Sequence, residues 1–343
     1  MNKIKKIVTI ITLITTTTMN IFSQQKVILI NGAGATFPYP LYSKWFYEYA
    51  KIDKTVNFNY QSIGSGGGIR QILAKTVDFG ASDAIMTDEQ LKQAAGEIIH
   101  IPTTAGAVVL IYNIPEVKQR IKLTPEIISG IYLGKIKKWN DPKIVQVNPN
   151  INMPDKKIIV ARRSDGSGTT FIFTDYLCEI SQEWKSKVGK GTSVNWPVGL
   201  GGKGNEGVAG IVKNTPYSIG YVEISYAIQN NLNYAMIKNK AGVFVKPTVE
   251  SITAAIANKA KNMPADYRVS IVNADGENSY PIAGFTWLLV YKKQDDKVKG
   301  EKLVKFLKWA ITDGQKYCAD LIYAPLPENL QKMILKTIDS IEY

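Results

Sequence analysis

Histidine and cysteine are nearly absent from this sequence of 343 residues. The single histidine, His100, is the only base available to a Ser-His-Asp hydrolase, and zinc sites with several histidines are excluded. It stands between two isoleucines, and we expect it to pack within a strand. The two cysteines, Cys178 and Cys318, form no Cys-x-x-Cys motif, so we expect free buried thiols, with a disulfide as the alternative. We therefore expect a protein that is not an enzyme, with no catalytic residue, metal or cofactor.

Long apolar runs are absent after residue 22, so we expect no membrane span in the rest of the chain. Residues 1–6 carry lysines, residues 7–22 are mostly apolar, and the small Ser23 follows. This pattern predicts a signal peptide over 1–23 that is cleaved near Ser23, and an uncleaved anchor is the alternative. No cysteine follows the apolar stretch, so a lipid anchor is not expected. We predict an exported protein that is free in a periplasm.

Acidic residues are the minority, with 29 Asp and Glu against 42 Lys and Arg, and the net charge is +13. This excess favours anionic partners without separating nucleic acid, a phosphate ion or an acidic membrane. The basic segment 135–139 is interpreted as a solvated turn, and no nucleic-acid partner is expected. Residues 199–204 have the spacing of a dinucleotide fingerprint but follow Trp196-Pro197, so we interpret them as a structural turn before a helix at 208–212.

Short apolar runs alternate with amphipathic stretches, which is typical of an α/β protein. Three times a predicted strand leads into a loop of glycine, serine or threonine and then a helix, at residues 31–37, 64–68 and 164–169. Such junctions direct free backbone N–H groups and a helix dipole at one point, which favours an anion. Ser65 and Ser167 lie in these loops but lack the Gly-x-Ser-x-Gly elbow of a nucleophilic serine.

Several motifs resemble those of the periplasmic phosphate-binding proteins of bacterial phosphate ABC transporters. They occur in order over nearly the whole mature chain, at residues 31–38 (NGAGATFP), 63–68 (IGSGGG), 78–83 (DFGASD), 131–139 (IYLGKIKKW), 163–169 (RSDGSGT), 199–204 (GLGGKG) and 323–327 (YAPLP). The resemblance implies a periplasmic-binding-protein fold with two α/β lobes, joined by two hinge strands and separated by a ligand cleft. The first lobe would comprise residues 24–104 and 281–343, and the second residues 105–280.

The resemblance also implies which residues bind the ligand. The first lobe would contribute Ala35, Thr36, Phe37, Ser65 and Asp83. The second would contribute Arg163, Ser167, Gly168 and Thr169, with Asp165 orienting Arg163. The segments 131–139 and 199–204 would lie outside the site. Gly66 stands where many relatives have a second serine, which costs one hydroxyl if that side chain is a ligand.

These residue types suit phosphate. A buried phosphate needs a full set of hydrogen bonds, which the N–H groups of Phe37, Ser167, Gly168 and Thr169, the loop hydroxyls and the guanidinium can supply. Asp83 can accept a hydrogen bond from a protonated oxyanion, whereas sulfate at neutral pH has no proton to give. A helix N-cap is the alternative role for Asp83.

The expected function is high-affinity phosphate binding in the periplasm and delivery to an ABC permease by closure of two lobes, in a monomer. Three alternatives remain open from the sequence. They are a binding protein for another oxyanion such as arsenate, sulfate or molybdate, an exported phosphatase that uses the same loops, and a surface adhesin or scaffold that has kept the fold.

Overall fold

The computed structural model describes residues 27–261 and 263–343, so the predicted signal peptide lies outside the described residues. The strands are β1 (Ile28–Gly34), β2 (Val56–Ser62), β3 (Phe79–Ser82), β4 (Ile98–Asn113), β5 (Lys122–Leu123), β6 (Ile159–Arg163), β7 (Leu200–Gly202), β8 (Ser218–Glu223), β9 (Asn233–Tyr234), β10 (Met236–Lys238), β11 (Phe244–Val245) and β12 (Ala283–Tyr291).

Helices cover the sheets and connect most of the strands. They are α1 (Tyr39–Ile52), α2 (Ser65–Leu73), α3 (Asp88–Lys92), α4 (Pro125–Tyr132), α5 (Pro142–Val147), α6 (Gly168–Ile180), α7 (Gln182–Lys187), α8 (Gly204–Asn214), α9 (Ile224–Gln229), α10 (Val249–Lys259), α11 (Lys297–Ile311) and α12 (Glu328–Asp339), with short 3-10 turns at Asp313–Tyr317 and Ala319–Leu321. Among the described residues, no helix is both long enough and apolar enough to cross a bilayer.

One large mixed sheet organises the protein, with strand order β2-β1-β3-β12-β4-β8-β6-β7 and β9 beside β4. The long strand β4 belongs to both halves of this sheet. Its first part, up to Ala107, pairs with β12, whereas Val108–Asn113 pairs with β8. The two halves correspond to two α/β lobes, as the sequence predicts. A separate three-stranded sheet, β11-β10-β5, lies beyond the second half.

The strands of each half are largely parallel, and their shared direction brings the loops at their carboxyl ends to one edge of the sheet. In the first half, β1 runs parallel to β2 and β3, while in the second half β6 runs parallel to β7 and β8. Parallel strands share the edge at which their carboxyl ends lie, and ligands of α/β sheets bind beyond such edges. The loops that follow β1, β2 and β3 in one lobe, and β6, β7 and β8 in the other, therefore meet.

Most predicted elements are present, with corrections near glycines and at the C-terminus. Residues 64–68 were predicted as a loop, but α2 already begins at Ser65. The predicted turn at 199–204 contains the strand β7, and the helix after it begins at Gly204 instead of residue 208. The predicted last long helix is α11, but α12 follows it. Two of these helix starts fall on glycine-rich sequence, where helix propensity is low and packing decides.

The residues that are scarce in the sequence are free or neutral. Cys178 and Cys318 are both free thiols, as expected, but only Cys318 is buried, whereas Cys178 is partly exposed. His100 lies in β4 with 3% of its surface exposed, and its Nε2 accepts a hydrogen bond from the Met86 N–H at 3.3 Å. Burial lowers the pKa of His100 to about 4, so it is a neutral packed histidine, as predicted.

Candidate functional site

The predicted site residues converge between the two lobes. From the first lobe come the loop at residues 35–37 after β1, Ser65 after β2 and Asp83 after β3; from the second come Arg163 at the end of β6 and the first residues of α6. The buried members are Ala35, Thr36, Phe37, Ser65, Asp83, Arg163, Ser167, Gly168 and Thr169. A β-carbon added to Gly168 would collide with Asp83 Oδ2 and Ser65 Oγ, so the lobes touch here.

Three tyrosines hold the backbone of the loop at residues 35–37. The hydroxyl of Tyr60 donates to the carbonyl oxygen of Ala35 at 2.7 Å. The hydroxyls of Tyr226 and Tyr323 donate to the carbonyl oxygens of residues 36 and 37, each at 2.6 Å. Because these bonds fix successive carbonyl groups, they also fix the directions of the intervening N–H groups. The contacts join distant parts of the chain, and no local sequence pattern indicates them.

Some of the loop's backbone groups are already engaged. The N–H of Ala35 donates to the carbonyl of Ala81 at 2.9 Å, and its carbonyl is held by Tyr60, so Ala35 shapes the loop with no free hydrogen-bonding group. The N–H of Ser167 donates to the carbonyl of Thr192 at 2.8 Å, contrary to the expectation that it faces the ligand. Ser167 instead caps α6, accepting the Thr170 N–H at 3.0 Å on its Oγ.

Other buried backbone donors have no acceptor within the described residues. These are the N–H groups of Thr36, Phe37, Ser65, Gly168 and Thr169. Buried N–H groups in native proteins are nearly always paired, with protein, water or ligand. Two of them belong to the first turn of α6 and add the positive end of its dipole. The arrangement therefore provides a place for an anion.

The cation of the site is Arg163, whose side chain is 1% exposed. Its Nε and Nη2 donate to the two carboxylate oxygens of Asp165 at 2.8 and 2.5 Å. Burial alone raises the pKa of Asp165, but the bonds and charge of Arg163 and the Gly204 N–H outweigh it, and the pKa is lowered. The segment 199–204, expected outside the site, thus reaches it through Gly204. The two bonds to Asp165 fix the plane of the guanidinium and leave further N–H groups of Arg163 unused by the carboxylate.

Asp83 has different surroundings. Its carboxylate accepts hydrogen bonds from the hydroxyls of Thr286 at 2.8 Å and Ser65 at 3.4 Å, and within the described residues it forms no ion pair. Burial raises its pKa to about 7, although the two hydroxyls and the charge of Arg163 oppose this shift. The nearest following helix, α3, is capped by Thr87, so Asp83 does not act as its N-cap.

Sequence reasoning missed two residues that complete the site. Asn205, in the first turn of α8, is fully buried and bonds Thr36 and Thr169. Glu223 ends β8 and caps α9 by accepting the Ser225 N–H. Its Oε2 lies 3.0 Å from the hydroxyl oxygen of Tyr323, whose proton points to the Phe37 carbonyl. Burial raises the pKa of Glu223 well above its ordinary value. The signal for Asn205 was its place directly after a glycine loop at the end of a strand.

The site is defined by these polar groups and not by open volume. A cavity of about 580 Å³ lies instead between α10 and α12, and its lining is mostly apolar, with Ile256, Leu330 and Met333 among its residues. None of the buried donors described above lines it, so we place the functional site between the lobes.

Comparison with known proteins identifies the family. The profile of the PBP superfamily domain matches residues 15–313. The phosphate-binding protein PstS of Pasteurella multocida is 48% identical over 307 residues, which cover 89% of this chain and 88% of the relative. The chain belongs to the PstS family. A PstS of the archaeon Methanocaldococcus jannaschii is 40% identical over 338 residues, covering 92% of this chain and 87% of that protein.

Solved structures confirm the fold of this PstS family member. A high-affinity periplasmic phosphate-binding protein with bound phosphate (PfluDING) has a TM-score of 0.69 at 20% identity, covering 90% of this chain and 93% of its own. A phosphate-binding protein from Stenotrophomonas maltophilia has a TM-score of 0.67 at 18% identity, covering 90% and 94%. At such identities the likeness establishes the two-lobed periplasmic-binding-protein fold.

Proposed function

We propose that this chain binds inorganic phosphate between its two lobes and delivers it to the permease of an ABC-type phosphate transporter. The observation that carries the proposal is the group of buried donors that have no acceptor in the part of the chain that the structure describes, around Arg163 and opposite Asp83. Only a ligand rich in acceptors satisfies such donors, and a desolvated anion requires them. The names of the relatives, which are phosphate-binding proteins, support the same function.

The proposed ligand set keeps the residues expected from sequence, with three refinements. The backbone donors are the N–H groups of Thr36, Phe37, Ser65, Gly168 and Thr169, and the hydroxyl donors are those of Thr36, Ser167 and Thr169. The Ser65 hydroxyl donates to Asp83, so Ser65 contributes its N–H. Arg163 supplies the charge, and Asp165 orients it. Ala35 takes part by fixing the loop, and Ser167 through its hydroxyl instead of its N–H.

Asp83 selects for a protonated oxyanion. Beside the bound anion, its carboxylate accepts a hydrogen bond from a phosphate hydroxyl, whereas sulfate places acceptor against acceptor. Burial raises the pKa of Asp83 to about 7, because the ionised carboxylate is poorly solvated in this position. A hydrogen bond from a proton on the ligand therefore stabilises the carboxylate. Arsenate also carries a proton, so Asp83 does not reject it.

The lobes comprise residues 24–104 with 281–343, and residues 105–280. The change of partner of β4 from β12 to β8 after Ala107 supports the first boundary, and the start of β12 at Ala283 supports the second. Donors come from both lobes, so only closure completes the site. The Gly66 N–H donates across the cleft to the carbonyl of Gly166 at 2.9 Å, as a closed form requires.

The protein works as an exported monomer in the periplasm after removal of residues 1–23, and it is a binding protein, not an enzyme. Its role ends at delivery, because phosphate leaves chemically unchanged. The basic N-terminus followed by an apolar stretch supports export.

Calorimetric titration of the phosphate-stripped mature protein tests this function. We expect tight one-to-one binding of phosphate, no binding of sulfate at about pH 8.5, where Asp83 is mostly a carboxylate, and no turnover of a chromogenic phosphate ester. Binding of both anions would contradict the role of Asp83, and turnover would indicate a phosphatase. Binding of neither would contradict the proposed function and favour a scaffold.

Small-angle scattering tests closure separately. We expect the radius of gyration to fall when phosphate is added to the stripped protein and to stay constant when sulfate is added. An unchanged radius with saturating phosphate would contradict closure but not binding.

A further inference from the structure

Asn205 connects the two lobes without a place in the expected ligand set. It is the second residue of α8 and is fully buried. Its Nδ2 lies 2.7 Å from the Oγ1 of Thr36 in the first lobe and 3.1 Å from the Oγ1 of Thr169 in the second. Its backbone N–H also reaches the Oγ1 of Thr36, at 3.3 Å. One side chain thus contacts a proposed ligand hydroxyl from each lobe.

The orientation of the Asn205 amide is determined by the backbone of Glu223. The N–H of Glu223 donates to the Asn205 Oδ1 at 2.9 Å. A backbone N–H can only donate, so the carbonyl oxygen of the amide must face it and the NH₂ group must face the two threonines. Both threonine oxygens are therefore acceptors in these bonds.

The lone pairs of these hydroxyl oxygens are then fully used. A threonine hydroxyl has two lone pairs and one proton. The Thr36 oxygen accepts from the side chain and the backbone of Asn205, and the Thr169 oxygen accepts from Asn205 and from Arg163 Nη1, at 3.4 Å. Neither hydroxyl proton has an acceptor among the residues that the structure describes. Each hydroxyl can therefore act only as a donor to a third group.

We propose that Asn205 is a positioning residue that turns Thr36 and Thr169 into obligatory donors to the bound anion. It does not touch the ligand, and the inference rests on the proposed phosphate binding. By occupying both oxygens, it prevents either threonine from presenting a lone pair to phosphate. Because Thr36 and Thr169 lie on different lobes, this orientation is complete only when the lobes are in contact. Closure of the lobes therefore also determines that the hydroxyl protons of both threonines point to the ligand.

A double-mutant cycle read by phosphate titration tests the proposal. Asn205→Ala is made in the natural chain and in a Thr36→Val/Thr169→Val background. In the natural chain we expect phosphate affinity to fall about 10- to 100-fold, the loss expected from misdirected hydrogen bonds to a charged ligand. In the valine background the same substitution should change affinity less than about threefold, because no hydroxyl is left to orient.

Asn205→Asp in the same two backgrounds covers the case that the alanine variant does not fold. The introduced carboxylate still accepts the Glu223 N–H but accepts from the threonines as well, so their protons turn away from phosphate. We expect a loss of more than about 100-fold in the natural chain, and a smaller loss in the valine background. The control is Asn239→Ala, since Asn239 is similarly buried but bonds only backbone groups of residues 243 and 276–279. It should lower the melting temperature without changing phosphate affinity.

Equal losses in both backgrounds would overturn the proposal, since Asn205 would then act on the fold or by charge alone. An affinity of Asn205→Ala within about twofold of the natural chain would also overturn it. If the natural chain itself fails to bind phosphate, the proposed function falls and this inference falls with it. If the natural chain binds phosphate but the effects of the substitutions on affinity are additive, the inference about Asn205 is rejected and the proposed function stands.

Discussion

Two aspartates of the site, one from each lobe, differ in what surrounds them. Asp165 in the second lobe holds the guanidinium of Arg163 through both carboxylate oxygens, and its pKa is lowered. Asp83 in the first lobe has two hydroxyls and no cation in direct contact, and burial raises its pKa to about 7. The same carboxyl group is thus stabilised as an anion in one lobe and left ready to share a proton in the other.

This difference divides the site into a donor side and an acceptor side. In the site that we propose, the donor side consists of Arg163, the start of α6 and the two threonines that we infer Asn205 to orient, and these groups present protons to the ligand. The acceptor side consists of Asp83, which presents a lone pair. A proton-free anion satisfies the first side only, whereas phosphate satisfies both.

Removal of the cation should have the largest effect. Arg163→Met takes away the only buried cation of the site and leaves Asp165, 13% exposed, without its partner. We expect phosphate affinity to fall by about 1,000-fold or more, because charge-assisted bonds to the ligand are lost. The free energy of unfolding should also fall by about 3 kcal/mol, as it does when one partner of a buried ion pair is removed.

The matched control is Arg162→Met, on the same strand. Side chains alternate along a strand, and Arg162 is less buried than Arg163 and bonds a carbonyl group instead of a carboxylate. It should retain phosphate binding. Equal losses in the two variants, measured by titration, would contradict the assignment of the donor side to Arg163.

On the acceptor side, Asp83→Asn should alter selectivity more than affinity. The amide can donate to sulfate, which the carboxylate rejects. We expect the preference for phosphate over sulfate to fall by about 100-fold, mostly through a gain in sulfate binding. Competition titrations at about pH 8.5, where Asp83 of the natural chain is mostly ionised, measure this ratio. Sulfate that still fails to bind would show that discrimination lies elsewhere.

The raised pKa of Asp83 also predicts a pH dependence of stability without ligand. The unfolded carboxyl titrates near its ordinary value of about 3.9, and the folded one at about 7. The folded state therefore holds more protons between these values, and stability is lost as the pH rises through this window. Relative to Asp83→Asn, the natural chain should lose about 2–3 kcal/mol between about pH 5 and pH 7. Denaturant unfolding of both proteins measures this, and parallel pH curves would contradict it.

The sequence predicted the parts of this site that follow local rules. The strand that ends at Ser82 places Asp83, and the glycine and serine residues before α6 predict a helix start with free N–H groups. The motifs that resemble known binding proteins predicted which loops meet. Each of these predictions depends on a pattern of only a few neighbouring residues.

What could not be predicted depends on contacts between distant positions. Tyr323 reaches Phe37 across 286 positions, and Asn205 reaches Thr36 across 169. Tyrosine is an ordinary core residue by composition. Tyr323 lies in the motif at residues 323–327, but no local pattern predicts that it or the other two tyrosines hold the loop. The pKa of Asp83 depends in the same way on burial beneath the other lobe and on Thr286, 203 positions away.

The smallest effect should come from substitution of Gly66, in the first turn of α2. A β-carbon there would stand 3.1 Å from the Gly166 Cα across the cleft, so the lobes must separate by a few tenths of an ångström. The Gly66 N–H still donates to the Gly166 carbonyl, and we expect Gly66→Ser to change phosphate affinity less than about fivefold. Gly168→Ala is the contrast, because its β-carbon would collide with both Asp83 and Ser65 and block contact of the two sides. Equal losses of phosphate affinity in the two variants would contradict this prediction. An added β-carbon would then be tolerated no better beside Gly166 than beside Asp83 and Ser65.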